Sequence, residues 1–145
     1  IKDKGRFRYN LKAGKFFNAE DIAFVDFQHF NGNQINVSRR GSYTDVCNNL
    51  EYYSASTNDS YFEGHVEHDF NGFILGKIPL INKLNFNLVV GAHVLAQPDL
   101  SPYQEFTIGV DNIGWGKWRF LRVDYIRSYQ SGFQSDAILF GLKFF

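Results

Sequence analysis

Tyr61-Phe62-Glu63-Gly64-His65-Val66-Glu67-His68-Asp69-Phe70 is polar at Glu63, His65, Glu67 and Asp69, and mostly apolar at the interleaved Phe62, Val66 and Phe70. Successive side chains of a strand face opposite sides, so this pattern makes a strand with one wet and one dry face. Leu84 to Val94 repeats it: the even positions are apolar, and the odd ones include Asn85, Asn87, Gly91 and His93. A dry face sustained for about ten residues is the length and pattern of a tilted strand crossing a bilayer. Five such segments, about 60–72, 83–95, 103–111, 117–127 and 136–145, follow one another, separated by turn-like sequence.

Upstream, Gly5 to Gly14 alternates Phe7, Tyr9 and Leu11 with Arg6, Arg8, Asn10 and Lys12 and reads as a strand. Lys15 to Glu20 reads as a turn and Asp21 to Phe30 as a second, less regular strand. Residues 31–59 have no sustained period and read as one long loop, with at most a short strand near Glu51 to Ser54; a loop of that length is usually functional or tucked against something. Pro79 limits any helix in Ile74 to Leu84. The expectation is an all-β fold, an antiparallel transmembrane β-barrel of about seven strands filling residues 1–145. An odd strand count and a first residue other than Met predict the C-terminal strands of a larger barrel.

Composition narrows the classes. The net charge is zero, which argues against nucleic acid as a partner. Cys47 is the single cysteine, so no internal disulfide and no cysteine-built zinc site can form. No apolar run approaches the eighteen or so residues of a membrane helix. Sixteen of the residues are Phe, more than a small core needs and suited to a lipid-facing band. A soluble barrel or sandwich with the greasy face inward is the alternative. Near-uniform strand lengths and the alternation of Ile138, Phe140, Leu142 and Phe144 up to the final Phe145 favour the membrane form.

Which face is which follows from charge. An Arg on the lipid side at the bilayer midplane costs about 2–4 kcal/mol. That forces Arg122 inward, together with Asp124, and the inward set then contains Glu63, His65, Glu67, Asp69 and Glu105 as a lumen charge network. Trp115 and Trp118 flank a turn, where interface aromatics belong. On a strand His65 and Glu67 share a face while His68 points away, and the helical zinc signature is missing, so no metal site is expected. No Ser falls beside His68 to make a nucleophile, and phosphate-binding Gly loops are lacking, so neither catalysis nor a cofactor is expected.

Several segments resemble a known family. Phe62-Glu63-Gly64-His65-Val66-Glu67-His68-Asp69-Phe70-Asn71-Gly72 leads into Gly76-Lys77-Ile78-Pro79-Leu80-Ile81-Asn82-Lys83-Leu84, followed by Tyr103-Gln104-Glu105 and Gly109-Val110-Asp111-Asn112-Ile113. His29-Phe30-Asn31-Gly32-Asn33-Gln34 and Leu50-Glu51-Tyr52-Tyr53-Ser54-Ala55-Ser56-Thr57 precede them. As an ordered set they resemble the C-terminal barrel of a Bacteroidota outer-membrane family whose members carry an N-terminal carboxypeptidase-regulatory-like domain. The stretch is also similar, more weakly, to the barrels of the outer-membrane assembly and surface-antigen superfamily. There a long extracellular loop enters the lumen with an Arg-Gly-aromatic tip. Arg40-Gly41-Ser42-Tyr43 is a match with one extra residue, and the resemblance implies that Arg40 pairs with Glu63, Glu67 or Asp69. It also implies a Gram-negative outer membrane, with the bilayer and its lipopolysaccharide as partners and other outer-membrane or periplasmic proteins as further ones. The implied role is transport or outer-membrane assembly with the 31–59 loop in or over the lumen. A structural or interaction scaffold and a soluble ligand-binding barrel are the alternatives. With the C-terminus periplasmic, the turns at 15–20, 71–82 and 112–116 are periplasmic and the loops at 31–59, 96–102 and 128–135 extracellular.

Overall fold

The computed structural model describes residues 5–32, 36–38 and 43–143. Its strands are β1 (Arg6–Gly14), β2 (Asn36–Ser38), β3 (Tyr61–Asp69), β4 (Asn87–Gln97), β5 (Leu100–Trp115), β6 (Trp118–Tyr129) and β7 (Phe133–Lys143). They form one sheet in the order β1-β3-β4-β5-β6-β7-β2. Every neighbouring pair is antiparallel except the short β2, which runs parallel to β7 through Asn36↔Gly141 to Ser38↔Lys143. The protein is all-β, and among the described residues the sheet stays open, with β1 at one edge and β2 at the other.

Strand sequence and strand position agree from β3 onward. β4 and β5 meet at a two-residue turn, Gln97 pairing with Leu100, and β5 and β6 at another, Trp115 pairing with Trp118. In the second turn Gly116 takes a φ of 55°, which favours glycine. These hairpins are tighter than the sequence suggests, because β5 continues well past both ends of 103–111. The 70–86 connection holds two 3₁₀ turns, Leu75–Lys77 and Ile81–Leu84, on either side of Pro79.

The second predicted strand does not form. Residues Phe24–Asp26 make a 3₁₀ turn, and the segment's β-pairing among the described residues is one isolated bridge, Gln28 with Thr57. Two causes are visible. β1 already pairs with β3 along its whole length, Arg6↔Asp69 to Gly14↔Tyr61, so no slot is left between them. Phe24 is instead drawn into an aromatic cluster with Phe27, His29 and Tyr53, ring centroids 5.0–5.8 Å away. The connection therefore leaves β1 and rejoins β3 at the same end of the sheet, which corrects the placing of the 15–20 turn at the opposite end from the 31–59 loop.

Alternation sorts the faces. Phe7, Tyr9, Leu11, Phe62, Phe106, Ile108, Tyr125, Ile138 and Phe140 point to one side and are exposed, Ile108 by 50% and Phe140 by 61%. The other side carries Glu63, His65, Glu67, Asp69, His93, Glu105, Asp111, Arg122 and Asp124, all buried. Among the described residues, the 43–50 segment lies against this polar face, with Tyr43 on Arg122 and Asn48 and Asn49 on Glu105. It brings Cys47 and Leu50 into a small apolar cluster with Phe30, Ala55, Leu95 and Tyr103 at the loop end of the sheet. The usual order of a water-soluble sheet, greasy side in and polar side out, is inverted.

Candidate functional site

The buried face is organised around Arg122. Its side chain is 2% exposed and reaches two strands. Nε donates to Asp124 Oδ2 at 2.7 Å and Nη2 to Asp124 Oδ1 at 2.7 Å, a two-pronged pairing along β6. Nη1 donates to Glu67 Oε2 on β3 at 2.8 Å. Charge-assisted bonds of this fork geometry are among the strong ones. A glycine makes the room: Gly109 lies opposite Asp124 in the β5–β6 register, and a Cβ there would overlap the Asp124 carboxylate.

Cations of β1 line up against the acids of β3. Arg6 reaches Asp69 at 3.2 Å, Arg8 reaches Glu67 at 2.9 Å and Lys12 reaches Glu63 at 3.3 Å. These are direct cross-strand neighbours in the antiparallel register. The three carboxylates that the resemblance assigns to Arg40 are thus met by β1 and, at Glu67, by Arg122. Arg40 itself lies outside the described residues.

Next to the cations lies a relay of imidazoles. His65 Nε2 is 2.7 Å from Glu63 Oε1, and His65 Nδ1 is 2.7 Å from His93 Nδ1. His93 Nε2 stands 3.9 Å from Glu105 Oε1. Glu105 is fully buried and holds the covering segment: Oε1 accepts from the Asn48 amide at 2.7 Å and from Asn48 Nδ2 at 3.0 Å. Its Oε2 accepts from the Asn49 amide at 3.0 Å and the Tyr103 hydroxyl at 2.8 Å.

Further contacts pin the segment. Asn49 Nδ2 donates to Ser128 and Ser135 Oγ at 2.9 and 2.7 Å. Asn10 Nδ2 of β1 donates to the Thr44 carbonyl at 2.8 Å. The Tyr43 ring lies 4.3 Å from the Arg122 guanidinium, a cation–π contact on a buried charge. Burial pushes the Tyr43 phenol up to about 12, so it stays neutral, and its hydroxyl has no hydrogen-bond partner among the described residues. Burial first, then Glu105 and Glu63, raise the Cys47 thiol well above its usual range. Labelling of Cys47 by a maleimide in the native protein should therefore be slower than in the denatured chain by about a hundredfold or more. Equal rates would show that the segment does not rest on the sheet.

All the expected network residues with described positions, Glu63, His65, Glu67, Asp69, Glu105, Arg122 and Asp124, lie on this one buried face. The alternation puts His93 and Asp111 on the polar face, where both are buried, but the expected network leaves them out and misses the loop contacts. His93 shares the parity of Asn87 and Gly91 and carried a signal, whereas Asn48 and Asn49 sit where no period exists. Trp115 and Trp118 face each other across the β5–β6 turn and are 91% and 76% exposed. His68 sits on the apolar face between Phe7 and Phe70, with ring centroids 6.2 and 4.4 Å away. Among the described residues no group of three or more His, Cys, Asp or Glu is arranged to hold a metal ion. One Ser–His contact was not foreseen: Ser56 Oγ lies 2.8 Å from His29 Nδ1. The Ser56 hydroxyl donates to the Tyr53 carbonyl at 3.0 Å, so its proton is committed to the backbone and the imidazole does not act on it as a base.

No curated protein matches the chain, and no solved structure does. A family model matches residues 1–110, a span that takes in β1, β3, β4 and most of β5 and so the whole Glu63–His65–His93–Glu105 relay. Arg122 and Asp124 fall beyond the matched span. With well over half its residues matched, the protein belongs to the family described as "Family of unknown function (DUF5686) C-terminal domain".

Proposed function

We propose that this chain is part of an outer-membrane β-barrel of a Gram-negative cell, the C-terminal strands of a larger barrel. In this reading its apolar face meets lipid, and its polar face lines a lumen that the 31–59 loop occupies. The role that fits best is transport or outer-membrane assembly, with the loop as plug or gate. This proposal includes the finer family assignment, to Bacteroidota proteins with a carboxypeptidase-regulatory-like domain. One observation carries the reading: charged residues are buried under the 43–50 segment while Phe7, Phe62, Ile108 and Phe140 remain exposed. A lone sheet exposing so large a continuous apolar face in water would aggregate, and hydrocarbon removes that penalty. A soluble ligand-binding barrel would need the faces reversed. A structural or interaction scaffold shares the arrangement, and current through planar bilayers separates it from a transporter.

The two tryptophans supply the test. Both lie at one hairpin tip, the level of a membrane-interface girdle. In vesicles of brominated lipid, their fluorescence should be quenched most by bromines close to the headgroup and least by bromines near the acyl-chain ends. The absence of quenching at every depth would rule out a membrane-embedded sheet.

A further inference from the structure

Residues 70–86 join β3 to β4 at the end of the sheet that carries the two tryptophans, and the β5–β6 turn lies beside them, since Asn87 pairs with Asp111. The two connections are tied together. Asn112 Nδ2 donates to the Asn85 carbonyl at 2.7 Å, and the Arg119 guanidinium donates to the Leu84 carbonyl.

Charge at this end has one sign. Residues 70–86 contain Lys77 and Lys83 and no Asp or Glu; residues 112–121 contain Lys117 and Arg119 and no acid either. All three lysines are exposed. The opposite end of the sheet exposes Glu20, Asp21, Asp26, Glu51 and Asp99 alongside Lys15.

Apolar side chains stand out among these cations. Phe73, Ile78, Leu80 and Leu84 are exposed, as are Trp115 and Trp118. Lys77 Nζ lies 4.0 Å from the Phe73 ring centroid, so charge and apolar surface interleave at short range. Leu80 is the extreme case. It is 81% exposed, and its φ of 77° and ψ of −46° lie in a strained region for an L side chain. Strain of this kind persists where the surroundings demand it. Water gives an exposed leucine no return, whereas the headgroup–acyl boundary of a bilayer accepts leucine and tryptophan below and lysine ammonium groups above. A zwitterionic headgroup balances its own phosphate; a headgroup with net negative charge leaves one for the lysines.

We propose that the 70–86 connection and the β5–β6 turn together form an interfacial anchor that binds anionic phospholipid, with Lys77, Lys83 and Lys117 on the headgroup phosphates and Leu80, Trp115 and Trp118 in the layer beneath. This deepens the membrane reading and rests on it.

The tryptophans report on the lipids at this end because they belong to the anchor. The protein is reconstituted in phosphatidylcholine vesicles containing a fraction of phosphatidylglycerol or of phosphatidylcholine brominated at the same chain carbons. At low salt, brominated phosphatidylglycerol should quench as though bound about fivefold more tightly, the preference that one surface lysine gives. In about 1 M salt, with a screening length of about 3 Å, the preference should fall to near one. The combined variant Lys77→Gln, Lys83→Gln and Lys117→Gln should lose it at low salt as well; Arg119 is kept because it ties the connections together. Should that variant fail to fold, the salt response of the natural protein still decides. Equal quenching by both lipids, or a preference that survives salt or the three substitutions, would overturn the anchor. The membrane reading would stand in those cases, since both lipids still quench, and equal quenching would leave the basic end to an acidic protein surface. Quenching by neither lipid would remove the membrane reading and the anchor with it.

Discussion

Arg122→Met is expected to lower the unfolding free energy by about 3–5 kcal/mol, the usual cost of removing one partner from a buried charge pair. The reason lies in what stays behind. Asp124 loses its three contacts with Nε and Nη2 of Arg122, at 2.7–3.0 Å, and is left as a carboxylate with no exposed surface. Glu67 retains Arg8, which softens the effect at β3. Tyr43 loses the cation beneath its ring. Reversible denaturant unfolding in detergent measures the change. Adding Asp124→Leu should restore part of the loss, because the orphaned charge is then removed too. A loss under about 1 kcal/mol would mean that water reaches these carboxylates, the range typical of exposed pairs. The covering segment would then not seal the network.

Ile108→Arg tests the opposite face. Ile108 lies mid-strand on β5, half-exposed, beside Val90 and Tyr125 in the ladder. If hydrocarbon surrounds it, Arg there should destabilise the folded protein by about 2–4 kcal/mol, and less for the same change nearer a strand end. If water surrounds it, an exposed substitution should move stability by no more than about 0.5 kcal/mol. Unfolding measured in lipid vesicles for Ile108→Arg and for Phe133→Arg, near the loop end of β7, would separate the two. A flat response along the strand would refute lipid contact.

The alternation that decides the fold is legible because its period is two and because Arg122 admits only one side. Glu63, His65, Glu67 and Asp69 on one strand, and Arg122 with Asp124 on another, fall together for that reason. The registry that brings Arg8 opposite Glu67 is not legible, since it depends on β1 skipping 46 residues to find β3. The false strand at Asp21 to Phe30 shows the limit: Phe24 and Asp26 share a parity, so the pattern is weak, and an aromatic cluster outcompetes a ladder once β3 has taken the inner side of β1. The covering segment was anticipated by length alone. Its contacts, Asn48 and Asn49 on Glu105 and Tyr43 on Arg122, come from side chains at irregular backbone positions, where no periodic signal exists to find them.

The long excursion between β1 and β3 also sets an order of assembly. Strands β4, β5 and β6 are joined by two-residue turns and can zip within microseconds of meeting. β1 must close a far larger loop before its ladder with β3 returns anything, so its docking comes late. Until then Glu63, Glu67 and Asp69 lack their β1 cations. A nascent chain therefore passes through a stage with uncompensated acids along one rim of the sheet.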